Sequence, residues 1–244
     1  MKPVQFLSNS PQIDNIIKGL TLTKSLFVSS ILIGEAHTGK KTLIQTLFPN
    51  TLYIDASNGE ELASALEKHD EVIIYNFEKL LNFENLNFEN KRIIAIANHI
   101  DNSDKIEKKF AFIYNMPSLK EREDKKFIIQ YFQNEIEKEL MIEDSIKIDH
   151  KVLNFSDNIK SLKASLYKEL MIKTFNSQDI EKVLFDYLLE HIEGNNAYRE
   201  HLFLYEKPLI EAGLHKYKSQ LKLSNILGLN RNTLRKKIQE HGIN

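Results

Sequence analysis

Hydrophobic and polar positions follow two different patterns along the 244 residues of this chain. Up to residue 118, short apolar runs alternate with segments of helical spacing. The predicted helices are Lys40–Leu47 and Gly59–Lys68, and the predicted strands are Ser25–Ile33, Thr51–Ile54, Glu71–Tyr75 and Arg92–Ala97. Nearly continuous apolar strands separated by helices are typical of a parallel sheet that is covered on both faces. This part of the sequence therefore predicts an α/β fold.

After residue 118 the pattern is helical throughout. Gly194 and Gly228 stand at two breaks, where a helix commonly ends in the left-handed conformation that glycine adopts without strain. The predicted helices are Leu119–Leu140, Asn158–Lys173, Ile180–Glu193, Tyr198–Tyr217, Ser219–Leu227 and Arg231–His241. We expect three parts: an α/β core over residues 1–118, a helical segment over 119–176 and a second helical domain over 177–244.

Composition narrows the class of protein. Hydrophobic residues make up 42% of the chain, which is enough for a core and excludes a disordered chain. The absence of Cys excludes a disulfide framework and a thiolate metal site, and the eight His lack metal-ligand spacing. No apolar run approaches the roughly 18 residues of a membrane span, and the N-terminus lacks the apolar region of a secretion signal. We therefore expect a cytoplasmic protein without a membrane partner or a bound metal.

The C-terminal segment carries the strongest local signal. A helix over Gln220–Leu227, a turn containing Gly228 and a helix over Arg231–Ile238 fit a helix-turn-helix, with Ser219 and Asn230 as helix caps. The whole chain carries a net charge of −1, but residues 212–239 contain seven basic and no acidic residues, against 26 basic and 34 acidic elsewhere. A basic helix of this kind can enter the major groove of double-stranded DNA.

A second motif follows the first predicted strand. Residues 34–42 read Gly-Glu-Ala-His-Thr-Gly-Lys-Lys-Thr and satisfy G-x-x-x-x-G-K, a loop whose backbone N–H groups and Lys cradle phosphates. Lys41 stands where a Ser or Thr would bind Mg²⁺, and Thr42 comes one residue late. ATP or ADP is therefore a candidate ligand, whereas Mg²⁺ is not favoured. The residues alone leave open whether this loop still binds nucleotide or serves only as a scaffold.

Strings along the whole chain resemble one protein family. Lys207–Asn244 resembles the Fis-type helix-turn-helix, and Val183–Pro208 resembles the two helices through which Fis-type proteins dimerise. The region before them resembles the AAA+ domain of the NtrC-like sigma-54-dependent activators. That resemblance depends on the phosphate loop, on Pro117–Asp124 and on Phe155–Leu162, which is similar to the family's Gly-Asn-Val-Arg-Glu-Leu box.

The resemblance implies an AAA+ subdomain with a helical lid, followed by a Fis-type domain that forms a homodimer and binds double-stranded DNA. Asn230 and Arg231 would face bases, whereas most of the other basic groups would contact the DNA backbone. The predicted DNA-binding residues are Ser219, Gln220, Lys222, Asn230, Arg231, Asn232, Thr233, Arg235, Lys236 and Lys237. The predicted nucleotide-binding residues are Gly34, Glu35, Thr38, Gly39, Lys40, Lys41, Thr42, Asn98 and Lys160.

Several residues depart from the family pattern. The family's Asp-Glu pair, in which one acid organises Mg²⁺ and the other activates water, is replaced by Tyr75 and Asn76, and we expect Glu78 to point away. No Arg lies between Arg92 and Arg122, where the family's trans-acting Arg fingers would be. We therefore predict no catalytic residues and negligible ATP hydrolysis.

The output loop of the family is also missing. Its Gly-Ala-Phe-Thr-Gly-Ala insertion, which touches the sigma factor, has no counterpart between the second and third predicted strands. This absence argues against a contact with sigma-54.

The sequence thus predicts a dimeric, sequence-specific DNA-binding transcriptional regulator that does not hydrolyse ATP. Two alternatives stay open. One is a nucleotide-gated regulator or residual ATPase, which Lys40 and Asn98 favour. The other is a nucleoid-type architectural protein that bends DNA with little sequence preference.

Overall fold

The computed structural model of the chain describes residues 6–80, 83, 86–101 and 103–243. The chain forms two compact units, Met1–Thr174 and Phe175–Asn244. Within the described residues, no helix is long and apolar enough to cross a lipid bilayer.

The first unit is built on a five-stranded parallel sheet. Its strands are β1 (Ser30–Ile33), β2 (Leu52–Asp55), β3 (Glu71–Tyr75), β4 (Arg92–Ala97) and β5 (Phe112–Asn115), in the order β2-β3-β4-β1-β5. All neighbouring strands are parallel, and Ala95 of β4 lies between Ile74 of β3 and Ile31 of β1. The loop that follows β1 therefore leaves the sheet between β4 and β5.

Helices cover both faces of this sheet, as the sequence predicts. On one face lie α1 (Pro11–Leu26) and α2 (Lys40–Leu47), and on the other lie α3 (Gly59–Lys68) and α4 (Ser103–Glu107). Successive residues of a strand point to opposite faces, so Leu32 packs with α1 and α2 while Ile31 packs with α3. Two separate hydrophobic clusters hold the layers together.

The first predicted strand is wrong in its N-terminal half. Helix α1 continues to Leu26 because apolar residues recur every three or four positions, and Ile13, Ile16 and Leu20 are buried. Phe27 then adopts the left-handed conformation, with φ 51°, and ends the helix. The strand β1 consequently begins at Ser30.

The predicted helical segment after the sheet has a hydrophobic cluster of its own, formed by α5 (Lys125–Glu139) and α6 (Asn158–Thr174). The predicted helix over 119–140 begins only at Lys125, because a buried ion pair fixes a turn before it. Arg122 donates to both oxygens of Asp124 at 2.8 and 2.7 Å. Burial alone would raise the pKa of Asp124, but Arg122 and the Asn9 amide hold it below its usual range. The domain boundaries at 118 and 176 stay predictions.

The described part of the second unit contains five helices. They are α7 (Ser177–His191), α8 (Ala197–His201), α9 (Phe203–Tyr217), α10 (Gln220–Leu227) and α11 (Arg231–Glu240). The predicted helix Tyr198–Tyr217 is interrupted at Leu202, whose carbonyl accepts from the amides of both Tyr205 and Glu206. Leu202 keeps helical angles, φ −60° and ψ −29°, so the interruption changes the hydrogen bonding rather than the chain direction.

Candidate phosphate-binding and DNA-binding sites

The loop after β1 is shaped by close backbone contacts. Gly39 has φ 96° and directly precedes α2, a conformation that favours glycine. A Cβ atom on Gly34 would lie 2.5 Å from the Met116 carbonyl oxygen, so a larger residue would not fit there. The buried hydroxyl of Thr38 donates to the Glu35 carbonyl at 3.0 Å. Thr38 therefore stabilises the loop from inside.

Lys40 is the buried cation of this loop. Its Nζ donates to the carbonyls of Gly34 and Glu35, both at 2.6 Å, and to Asn98 Oδ1 at 3.2 Å. Burial lowers the pKa of Lys40 to about 8, although the carboxylates of Glu78 and Glu35 act in the opposite direction. The side chain therefore remains mostly charged at neutral pH, as a phosphate-binding lysine requires.

Glu78 lies at the same place, and the expectation that it points away is wrong. Asn76 is left-handed, with φ 56°, and the 3₁₀ turn Phe77–Lys79 brings the chain back toward the end of β4. Glu78 Oε1 accepts from Asn98 Nδ2 at 2.7 Å, and Oε2 accepts from the Asn98 amide at 3.1 Å. Glu78 therefore orients the residue that contacts Lys40.

A pocket of about 370 Å³ lies beside this cluster. Six of the predicted nucleotide-binding residues line it: Gly39, Lys40, Lys41, Thr42, Asn98 and Lys160. The remaining lining residues are His37, Tyr75, Asn76, Glu78, Ile96 and Ile159. The other three predicted residues, Gly34, Glu35 and Thr38, form the loop itself.

The start of α6 is tied directly to the phosphate loop. Asn158 Nδ2 donates to Glu35 Oε2 at 3.0 Å and to the Ala36 carbonyl at 2.9 Å, and the Ile159 amide donates to the His37 carbonyl at 3.1 Å. Sequence reasoning missed Asn158 as a site residue, although its signal was present in the Asn-Ile-Lys match to the family box. The helical segment thus helps to form the pocket.

The positions that would hold a metal ion carry other groups. Lys41 Nζ lies 4.2 Å from the centroid of the Tyr75 ring, which is a cation–π contact. Asn76 Nδ2 donates to Asp55 Oδ2 at 2.9 Å. The Ser57 amide, with help from Asn76, holds the pKa of Asp55 below its usual range. Among the described residues, no group of three or more His, Cys, Asp or Glu could hold a metal ion.

The helix-turn-helix is fixed by caps and by one close helix contact. Ser219 Oγ accepts from the Lys222 amide at 3.3 Å, and Asn230 Oδ1 accepts from the Asn232 amide at 2.9 Å. A Cβ atom on Gly213 would lie 2.3 Å from Leu223 Cδ1, so α9 and α10 pack closely at this glycine. The core of the domain is formed by Ile210, Leu223, Leu234 and Ile238.

Burial of Leu234 and Ile238 leaves the opposite side of α11 open. The exposed predicted DNA-binding residues are Gln220, Lys222, Asn230, Arg231, Asn232, Thr233, Arg235 and Lys236, whereas Ser219 and Lys237 are partly buried. Lys237 Nζ pairs with Glu206 Oε1, and His241 Nε2 lies 3.1 Å from Glu206 Oε2. Lys237, followed by His241, lowers the pKa of Glu206. The predicted contact of Lys237 with the DNA backbone stays a prediction.

Helices α7 to α9 expose many large apolar side chains. Helix α7 contains no buried residue. The apolar residues of α7 and its neighbours include Val183, Ile192, Tyr198 and Tyr205, which are 57%, 59%, 79% and 64% exposed. An almost wholly apolar groove of about 390 Å³ lies among them.

The C-terminal part of the chain matches a known protein family by sequence. Residues 204–241 match the family model of the bacterial regulatory proteins of the Fis family. The C-terminal helix-turn-helix is therefore a Fis-family domain, which is a DNA-binding domain. No curated protein matches the chain.

The fold is similar to that of NtrX from Brucella abortus. The structure of NtrX in complex with ATP shares 13% identity with this chain, covers 98% of this chain and 69% of NtrX, and has a TM-score of 0.53. The complex with ADP shares 17% identity over the same shares of the two chains, with a TM-score of 0.51. At these identities the similarity shows the fold alone, which is an AAA+ fold as predicted.

Proposed function

We propose that the protein is a sequence-specific, DNA-binding transcriptional regulator that works without ATP hydrolysis. The observation that carries this proposal is the exposed polar face of α11 in a Fis-family domain. Arg231 and Asn232 open that helix, and the N-terminal residues of a recognition helix are the ones that reach base edges. Arg231 can form a bidentate contact with guanine, whereas Arg235 and Lys236 can hold phosphates.

A homodimer is the second part of the proposal. Contiguous apolar surface on a helix marks an interaction site, and the apolar side chains of α7 are largely exposed in the single chain. We propose that α7 to α9 pair with the same helices of a second copy. Two-fold symmetry would then place two copies of α11 on two half-sites of DNA.

The third part of the proposal is that the protein does not hydrolyse ATP. Tyr75 and Asn76 stand where two carboxylates would organise Mg²⁺ and activate water, and neither side chain can replace an ionised acid. Glu78 lies in the pocket, but both of its oxygens accept from Asn98. A missing Arg finger alone lowers the rate by about 10³–10⁵ in GTPases. We therefore propose that hydrolysis is negligible.

We also propose that the protein makes no contact with sigma-54. Helix α3 starts at Gly59, shortly after β2 ends at Asp55, and β3 starts at Glu71, shortly after α3 ends at Lys68. This connection leaves no room for an additional output loop.

Two measurements on the full chain test the proposal. Repeated selection from a pool of random duplexes should enrich one sequence with two related halves, and a pool that stays random would refute sequence-specific binding. Release of phosphate from ATP with Mg²⁺, with and without the selected duplex, should stay at the level of a protein-free control. Turnover that exceeds this level and disappears in Lys40→Met would refute the proposed absence of hydrolysis.

A second candidate is a regulator gated by nucleotide binding. The specific observation in its favour is the pocket itself, where Lys40 and Asn98 meet and where Asn158 and Ile159 tie α6 to the loop. ATP or ADP held by Lys40, the Gly39 region and Lys160 would contact both the sheet and the helical segment. Calorimetric titration with ATP and with ADP tests this candidate, because heat of binding without turnover would support a nucleotide-sensing role.

A further inference from the structure

We propose that the pocket binds the phosphates of a nucleoside di- or triphosphate without a divalent cation, and that the Lys41 ammonium supplies the positive charge instead. This inference rests on the second candidate function, that a nucleotide occupies the pocket. It goes further by naming the residue that would replace the metal.

The residues at the metal position do not fit Mg²⁺. In phosphate loops of this kind, Mg²⁺ is held by a Ser or Thr hydroxyl directly after the loop Lys and by an acidic residue at the end of a neighbouring strand. Lys41 and Tyr75 occupy these two positions. Mg²⁺ requires oxygen ligands in near-octahedral geometry at about 2.0–2.1 Å. An ammonium group repels the ion, and a neutral phenol is a poor ligand for it.

The two replacements are complementary to each other. Lys41 Nζ lies 4.2 Å from the centroid of the Tyr75 ring, and both side chains line the pocket. The aromatic face attracts the ammonium group and holds it at the place that the lost Asp and Thr would have given to a metal. In this proposal the Lys41 ammonium group, held by the Tyr75 ring, occupies the position that a metal ion would take.

The nearby carboxylates are already engaged by protein groups. Both oxygens of Glu78 accept from Asn98, at 2.7 and 3.1 Å. Asp55 accepts from the Ser57 amide at 2.8 Å and from Asn76 Nδ2 at 2.9 Å. A metal ion would have to compete with these donors for the carboxylate oxygens.

The lysines that line the pocket suffice to bind a phosphate chain. Lys40, Lys41 and Lys160 all line the pocket, and α2 directs its N-terminal amides toward it. Each lysine is a compact charge that can donate up to three hydrogen bonds to phosphate oxygens. Lys41 is exposed, so a ligand can reach it without opening the core.

Calorimetric titration of the full chain with ADP, once with excess MgCl₂ and once with EDTA, tests the inference. We expect the two dissociation constants to agree within about twofold. Lys41→Met keeps the aliphatic stem but removes the charge, and it should weaken ADP binding about tenfold or more in both solutions. The matched control is Lys68→Met, an exposed lysine in the last turn of α3, which should leave the affinity unchanged.

The double substitution Lys41→Thr with Tyr75→Asp restores the metal ligands. It should make ADP binding magnesium-dependent, with an affinity at least about tenfold lower in EDTA than in MgCl₂. Wild-type affinity that falls by that factor in EDTA would overturn the inference while leaving nucleotide binding intact. No heat of ADP binding under either condition would overturn both the inference and the nucleotide-gated candidate, but not the proposed DNA binding. Thermal unfolding verifies that the variants fold. If a variant does not fold, the wild-type affinities in MgCl₂ and in EDTA still decide whether ADP binding needs the metal ion.

Discussion

Arg231 is the residue from which we expect base recognition, because it opens α11 with an exposed side chain. Arg231→Ala should cost about 1–3 kcal/mol of binding free energy on a selected duplex and much less on a scrambled duplex. Fluorescence anisotropy with both duplexes measures this difference. Lys126→Ala removes an exposed cation from α5, outside the proposed dimer helices and the proposed DNA-binding surface, so it is the control and should affect neither. Equal losses on the two duplexes would place base recognition elsewhere.

Lys236 is the residue from which we expect a phosphate contact. It is exposed on α11 and lies 3.6 Å from Glu240, a weak pair that DNA can replace. Lys236→Ala should weaken binding to all duplexes evenly and reduce the slope of log affinity against log salt by about one. A titration series over salt concentration measures the slope, and an unchanged slope would contradict the assignment.

Lys40 gives the pocket a pH dependence whose sign follows from burial. Its pKa is lowered from 10.5 to about 8, so the free chain keeps this proton below that pH and loses it above. Phosphate binding favours the charged form, and binding above this pH therefore requires uptake of a proton. ADP affinity measured by calorimetry should fall as pH rises through about 8. An affinity that is constant over this range would show that Lys40 does not contact the phosphates.

Individual residues differ in how well the sequence predicts their place. The contact of Lys40 with Asn98 follows from the ends of two predicted strands, which meet at one edge of a parallel sheet. Glu78 could not be placed, because the left-handed Asn76 and a short 3₁₀ turn reverse the expected direction. The pairing of Lys237 with Glu206 also escaped prediction, since the two residues lie 31 positions apart.

At the scale of elements, the apolar surface of α7 to α9 leads to a prediction about assembly. Ile192→Asp places a carboxylate in the almost wholly apolar groove, where burial inside a dimer would carry a desolvation cost. Light scattering after gel filtration should give twice the mass of one chain for the wild type and the mass of one chain for this variant. Glu181→Gln, an exposed change on α7 that keeps the size of the side chain, should remain dimeric. A wild-type chain that is monomeric at all concentrations would refute the proposed dimer.

Elements are predicted well where burial alone determines them. The bounds of α2, α3, β3 and β4 agree with the sequence prediction because their apolar residues face the core at regular spacing. The prediction fails at Ser25, at residues 119–124 and at Leu202. In these places a helix end, a buried Arg122–Asp124 pair and a shared carbonyl acceptor determine the structure. The ion pair and the shared acceptor leave no periodic signal in the sequence. The apolar residues of α1 do recur at helical spacing, but the sequence prediction lacks this helix.

For the whole molecule, the net charge of −1 conceals an uneven distribution. The seven basic residues of 212–239 are offset by acidic residues elsewhere in the chain, and two of these, Glu206 and Glu240, lie close to Lys237 and Lys236. A basic helix-turn-helix on an otherwise acidic chain favours contact with DNA through one surface and disfavours non-specific contact through the rest. This distribution is consistent with a regulator rather than with a protein that coats DNA.

Footprinting of the full chain on genomic fragments, at physiological salt and without nucleotide, tests whether the protein binds DNA at specific sequences. We expect strong protection of a few sites, each composed of two related halves, because specific binding is typically about 10³–10⁷ tighter than non-specific binding. Even protection along all fragments, with no preferred site, would contradict the claim and would favour an architectural protein that bends DNA.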